Sequence, residues 1–182
     1  MKIEYYYSIL SPFTYLGSIK FQSIAKKYNA EIIEKPCDLV GGIFIKTGGV
    51  PVPQRSPQRQ KYRLDEIKRW SEFLNIKINI KPKFFPPKEP HLPAKFTIAA
   101  NLLGTKVVFG HELLKQLWSE EKDISDEKNI EIVSNNFKID FKELSALAKL
   151  ENVSKIYADN TAEAVEKNVF GSPTYIFNNE LF

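Results

Sequence analysis

Two short segments, far apart in the chain, limit its fold more than anything between them. The opening Met1-Lys-Ile-Glu-Tyr-Tyr-Tyr-Ser8 runs directly into Ser11-Pro12-Phe13-Thr14-Tyr15-Leu16-Gly17, and Val169-Phe170-Gly171-Ser172-Pro173-Thr174-Tyr175-Ile176-Phe177 comes near the other end. Lys2–Tyr7 is rich in β-formers and reads as a strand. Phe13, Leu16, Phe21 and Ile24 recur at helical spacing, which predicts a helix over Pro12–Lys27 with proline in its first turn. Ala30–Glu34 reads as a second strand, so the three elements predict a right-handed βαβ unit with parallel strands. A strand that feeds a helix N-terminus presents free N–H groups and the positive end of the helix dipole, which together seat an anion.

The chemistry at that turn follows from what stands there. Two thiols in Cys-x-x-Cys spacing would have a depressed pKa and could exchange disulfides. This chain has Ser11-Pro-Phe-Thr14 instead. A hydroxyl cannot do disulfide chemistry, but it can hydrogen-bond the thiolate of a ligand. A free thiol titrates near ~8.5, so holding it as a thiolate at neutral pH takes a donor and a helix end. The turn therefore points to an external thiol, with glutathione as the candidate. Ser11 is equally well placed as a plain N-cap before a proline-started helix, and one hydroxyl can do both. A nucleophilic role would need a base. The two histidines, His91 and His111, fall in a proline-rich loop and a helical pattern respectively, and there is no Gly-x-Ser-x-Gly elbow.

Between the end segments the pattern is helical. Residues 41–59 are rich in Gly and Pro and structureless by pattern. Leu64, Ile67, Trp70, Phe73 and Leu74 mark one amphipathic helix. A second loop carries Pro82, Pro86, Pro87, Pro90 and Pro93. Ala94–Gly104 and Val107–Trp118 read as one long or broken helix, with shorter helices at Ser125–Asn135 and Asp140–Leu150. Asp159, Asn160 and Thr161 are N-cap candidates for a last helix through Lys167. Pro173–Phe177 then reads as a strand, Asn178-Asn179 as a two-residue hairpin turn, and Glu180–Phe182 as a further strand.

Bulk properties exclude several classes. Hydrophobic residues at 43% and aromatics at 13% support a real core, and no apolar run approaches the ~20 residues needed to span a membrane. Cys37 is the one cysteine, which rules out an internal disulfide, fits a reducing compartment and reads as a buried small residue after Pro36. With no basic-then-apolar leader in view, the expected location is cytoplasmic. The net charge of +4 is uneven: Gln54–Lys95 has 11 Lys/Arg against 4 Asp/Glu, a local +7, while Ser119–Glu143 has 8 acids against 4 bases, a local −4. Ordinary solvated helix faces would account for any single lysine, but a basic mouth over an anionic ligand fits the whole. No nucleic-acid motif, metal-ligand spacing or phosphate loop accompanies it.

Taken together, Ser-Pro-aromatic-x-Tyr-Leu after the first strand, Leu39-Val40-Gly41-Gly42-Ile43-Phe44 after the second, and Val-Phe-Gly-x-Pro-Thr-aromatic near the end resemble the 2-hydroxychromene-2-carboxylate isomerases and their kappa-class glutathione transferase relatives. The resemblance covers nearly the whole chain. It implies an α/β thioredoxin-like (DsbA-like) mixed sheet, with residues 1–37 and 156–182 forming the thioredoxin-like part and 38–155 a helical insertion. It further implies a cytoplasmic homodimer with glutathione as cofactor and a small hydrophobic or aromatic electrophile as co-substrate. Ser11 would be the catalytic hydroxyl at the sulfur, beside Phe13. Pro173 would be cis, with the Ser172 backbone pairing with the cysteinyl part of glutathione. Gly49 falls where the family has an Asn, and Arg59 where it has a Lys three residues before Tyr62; either cation suits a carboxylate. The family continues past Glu-Leu-Phe with Trp-Gly-x-Asp-Arg and a closing helix, while this sequence stops at Phe182: either it is a truncated one, or the protein lacks that acidic contact and the helix over one sheet face. Three functions stay open: an isomerase that regenerates glutathione, a transferase that releases the adduct, and a non-catalytic thioredoxin-fold binding module.

Overall fold

Three consecutive tyrosines fix the centre of the structure. Successive side chains of a strand point to opposite faces, yet Tyr5, Tyr6 and Tyr7 are all at most 1% exposed. The strand that carries them must therefore be covered on both faces. The computed structural model of the chain describes residues 1–105 and 107–182. In it β1 (Lys2–Tyr7) is central in a sheet of order β2-β1-β3-β4. β2 (Glu31–Pro36) runs parallel to β1 from Lys2↔Glu31 to Tyr7↔Pro36, as the βαβ reading requires. β3 (Thr174–Phe177) is antiparallel to β1, with Tyr5 opposite Tyr175, and β4 (Glu180–Leu181) closes a hairpin on β3. Asn178 and Asn179 make that turn at φ 50° and 64°, the left-handed pair that a two-residue hairpin demands and asparagine tolerates.

Helix α1 (Pro12–Lys27) packs on the Tyr5/Tyr7 face. There Tyr5 stacks on Tyr7 at 4.4 Å and on Tyr175 at 5.3 Å between ring centroids, with Phe21 of α1 at 4.8 Å. The same core takes in α4 (Leu92–Leu102), α5 (Val108–Trp118), α6 (Glu127–Asn136) and α7 (Phe141–Ala148). On the other face Tyr6 packs with Cys37, Ile43, Ala164, Val169 and Ile176, beneath α8 (Glu151–Glu166). An apolar groove of about 820 Å³ stays open on the α1 side, bordered by Leu16, Phe21, Trp70, Leu74, Tyr175 and Phe182.

Residues 41–59 are more ordered than their pattern predicts. Asp38 caps a π-helical turn over Leu39–Ile43 through its side chain and the Gly41 N–H, and α2 (Phe44–Thr47) and a 3₁₀ turn (Val52–Gln54) follow. A Cβ on Gly42 would lie 2.3 Å from Thr161 Cγ2, so glycine there is what lets the turn seat on α8. Helix α3 (Pro57–Leu74) begins at its Ser56 cap. Its apolar stripe is incompletely used: Ile67 is buried, but Trp70 is 45% and Phe73 79% exposed.

The expectation that Asp159, Asn160 and Thr161 cap a last helix is corrected. They lie inside α8, which runs unbroken from Glu151 to Glu166, and the expected domain boundary between 155 and 156 also falls within it. Their polarity has another cause. Asn160 Nδ2 donates to the Pro36 carbonyl at 3.1 Å, and Thr161 Oγ1 accepts the Asp38 N–H at 2.9 Å, so both tie α8 to the end of β2. Among the described residues Asp159 pairs only with Lys155, at the surface. Asn160→Ala should therefore destabilise the fold by roughly 1–3 kcal/mol through the orphaned Pro36 carbonyl, whereas Asp159→Ala should cost less than about 0.5 kcal/mol. Urea denaturation of the two variants checks this; equal losses would show that the Asn160–Pro36 bond contributes no more than the surface pair.

Candidate functional site

The two end segments meet through hydroxyl groups. Ser11 is the N-cap of α1, in an extended conformation (φ −81°, ψ 125°). Its Oγ accepts the Thr14 N–H at 3.3 Å and donates to the Ser172 carbonyl at 3.1 Å. Ser172 Oγ in turn accepts the Ser8 N–H at 2.7 Å and lies 3.0 Å from Thr14 Oγ1. The Ser172–Pro173 bond is cis, as the resemblance implied. Ser11 thus does serve as a cap, and the carbonyl it bonds is the one expected to face a ligand. Pro12 has no N–H and that of Thr14 is taken, so Phe13 carries the first-turn amide left for an anion.

The hydroxyls of Thr14 and Ser8 were not singled out from the sequence, nor was the side chain of Ser172. The available signal was the run of Ser8, Ser11 and Thr14 at intervals of three around a strand-to-helix turn. Only the tertiary fold could add Ser172 to them.

A second wall comes from α3. Arg59 and Arg63 of α3, with Arg55 just before its cap, line a cleft of about 450 Å³ together with Phe13. Ser11 and Ser172 are thus brought into contact beside Phe13 and Pro173, and Arg59 of α3 lines a cleft with Phe13. Gly49 lines neither this cleft nor the apolar groove. It follows α2, where a Cβ would collide with the Phe44 ring at 2.1 Å. Phe44 lies 5.9 Å beneath the Arg55 guanidinium, which links Gly49 to the cleft indirectly.

The titratable neighbours are spoken for. Cys37 is buried at the end of β2, its Sγ 3.5 Å from the Tyr7 carbonyl, and burial pushes the thiol up to about 12. It is inert as a nucleophile. His111 Nδ1 lies 2.6 Å from Ser18 Oγ, its ring stacked on Tyr15, and burial lowers its pKa. His91 sits against Tyr157. Among the described residues neither histidine bonds Ser11, so no base stands ready to make it a nucleophile. Beneath the site, Tyr7 donates to Glu34 at 2.5 Å. Burial raises the Glu34 carboxyl to about 7, against the hydrogen bonds of Tyr7 and Asn101 that favour its charge. No helix among the described residues is long and apolar enough to cross a membrane.

A thiol-less helix N-terminus facing a cis proline, on a sheet of this order, can be set against known proteins. The sequence profile of the DSBA-like thioredoxin domain matches residues 2–182. The chain belongs to the DSBA-like thioredoxin domain family. This DSBA-like chain is 24% identical over 189 residues to 2-hydroxychromene-2-carboxylate isomerase from Pseudomonas putida, covering 100% of this chain and 88% of the relative. It is also 24% identical over 182 residues to glutathione S-transferase kappa 1 from Rattus norvegicus, covering 96% and 80%. A solved structure of 2-hydroxychromene-2-carboxylate isomerase superposes with a TM-score of 0.80 at 22% identity, covering all of this chain and 88% of the other. The thioredoxin-like α/β fold expected from the sequence is therefore shown.

Glu34 makes the stability of this DSBA-like domain pH-dependent in a definite direction. An unperturbed glutamate titrates at 4.5, and Glu34 at about 7. Between those values the native state holds more protons than the unfolded chain, so stability should fall as pH rises through that window and level off above it. Glu34→Gln should flatten the fall. Urea midpoints of both proteins on either side of the window test this; an unchanged slope in the variant would assign the pH dependence elsewhere.

Proposed function

We propose that this chain is a glutathione-dependent isomerase acting on an aromatic keto acid, with Ser11 holding the sulfur. The observation that carries the reading is the Ser11 hydroxyl at the start of α1, bonded to the Ser172 carbonyl beside Pro173, where no protein thiol is present to do the chemistry. The residues fit a thiolate: a hydroxyl donor, one unclaimed amide and a helix N-terminus converge. They fit a peptide-like ligand too, because Ser172 is anchored through its side chain and leaves its backbone to be shared.

Each residue then has a task. Ser11 turns its O–H from the Ser172 carbonyl to the sulfur and holds it as thiolate at neutral pH. The Ser172 carbonyl, so freed, accepts from the cysteinyl backbone of the ligand. Phe13 supplies its N–H and one wall, and Arg59 takes a carboxylate. The chemistry supplied by bound glutathione is reversible addition of its thiolate to an unsaturated carbon, rotation about the bond thereby made single, and release. A homodimer and a cytoplasmic location belong to the same reading, while Gly49, expected as a ligand contact, bears on the cleft only through Phe44 beneath Arg55. A kappa-like transferase would use the same residues and release the adduct. It is kept because the rat kappa relative is as similar as the bacterial isomerase, and product analysis separates the two. A non-catalytic thioredoxin-fold binding module would have a degenerate site, and glutathione binding separates it from the other two.

Ser11→Ala should leave the fold intact and abolish most of the ultraviolet thiolate absorbance that glutathione gains on binding at neutral pH. Equal absorbance in variant and wild type would sink the role of Ser11. Arg59→Ala should weaken glutathione by roughly 1.5–3 kcal/mol, the value of a charge-assisted hydrogen bond. Calorimetric titration measures it, and unchanged affinity would remove Arg59 from the site.

A further inference from the structure

The cleft lined by Phe13, two residues from Ser11, holds more positive charge than the glycyl carboxylate of glutathione can neutralise there. Arg55, just before the Ser56 cap, and Arg59 and Arg63 at the start of α3 recur every fourth residue and line one cleft with Phe13. The other charged pairs of α3 are satisfied: Lys61 with Asp65, Lys68 with Glu72, and Arg69 with Glu66. Among the described residues Arg55, Arg59 and Arg63 pair with no carboxylate. Glu66 does reach the cleft rim, but Arg69 holds it.

The cleft is also built in advance. Arg55 is pinned by its Nε–H on the Val50 carbonyl at 2.7 Å and by the Phe44 ring, which leaves its two terminal nitrogens for a ligand. Arg59 is exposed and Arg63 half-buried. Burial and then the charge of Arg59 lower the Arg55 pKa; burial and then Arg55 lower that of Arg63. The three cations are close enough to repel one another, and an anion between them relieves that repulsion. A single carboxylate accepts one bidentate guanidinium and cancels one charge. The glycyl end of glutathione would leave about two of the three uncompensated.

We propose that the thiol held at Ser11 ends in a doubly anionic group, two carboxylates or one phosphate monoester, seated among Arg55, Arg59 and Arg63. This rests on the reading of Ser11 as the seat of an external thiol and changes the class of thiol it takes.

Four thiols sharing the γ-glutamylcysteinyl part test it by calorimetry: glutathione, its glycinamide, the analogue with aspartate in place of glycine, and the analogue with phosphoethanolamine there. One dianionic analogue should bind about tenfold tighter than glutathione at low salt, and the advantage should shrink as salt is raised. Which analogue gains distinguishes a carboxylate pair from a phosphate. In Arg55→Gln/Arg63→Gln the affinity ratio of that analogue over the glycinamide should collapse towards that of glutathione. Malonate and methyl phosphate, which carry no thiol, should raise the melting midpoint of the wild type and not of the double variant. Glutathione and both dianionic analogues binding equally, with no protection by the small anions, would overturn the arginine seat while leaving the thiol at Ser11. Protection by the small anions with no binding of any thiol would instead overturn the thiol seat, and the proposal with it.

Discussion

The burial of β1 on both faces is the constraint on which the rest of the structure depends. A strand with tyrosines pointing both ways needs a layer on each side and a partner at each edge. The α1 side supplies Phe21 and Tyr175 to Tyr5, and the α8 side supplies Ala164 and Ile176 to Tyr6. The edges are taken by β2 and β3, from segments on either side of the helical stretch. That one arrangement carries the start of α1 to the start of β3, so Ser11 and Ser172 come into contact although 161 residues apart.

Charge on the two faces is handled differently, and the difference separates structural from functional groups. On the α8 side Glu163 accepts from Tyr6 and pairs with Lys35 and Lys167, and Lys167 also holds Glu4. Burial alone would raise the Glu163 pKa, but the hydrogen bonds of Lys35, Lys167 and Tyr6 bring it down to about 2. Glu163, Lys35, Lys167 and Glu4 are closed on one another, and this cluster has no charge left over for a ligand. On the α3 side the Arg55, Arg59 and Arg63 guanidiniums line a cleft with Phe13 and, among the described residues, pair with no carboxylate. The first arrangement fastens β1 and β2 to α8; the second stores repulsion that a bound anion can release.

Much of the fold was legible because local signals agreed with it. Pro12 and the spacing of Phe13, Leu16 and Phe21 marked α1, and Asn178-Asn179 marked the hairpin turn. Misreadings arose where a residue answers to a distant partner. Asn160 and Thr161 look like caps because polar residues favour helix starts, yet they sit mid-helix to satisfy Pro36 and Asp38. The stretch 41–59 looks structureless because its glycines are there for close packing on Thr161 and Phe44. Trp70 and Phe73 look like core because spacing cannot say how much of a helix face another element will cover.

The same division runs through the site. The sequence by itself determined that a hydroxyl stands where a redox enzyme would have thiols, that the lone cysteine cannot form an internal disulfide, and that positive charge concentrates around α3. These are properties of residue type and of neighbours a few positions apart. Only the tertiary structure decided that Ser8, Ser11 and Thr14 converge on Ser172, that Gly49 packs on Phe44 outside the cleft, and that three of the many cations in the basic stretch share one cleft with Phe13. Convergence of that kind depends on how the sheet and helices stack, and no local pattern encodes which distant backbone a side chain will meet.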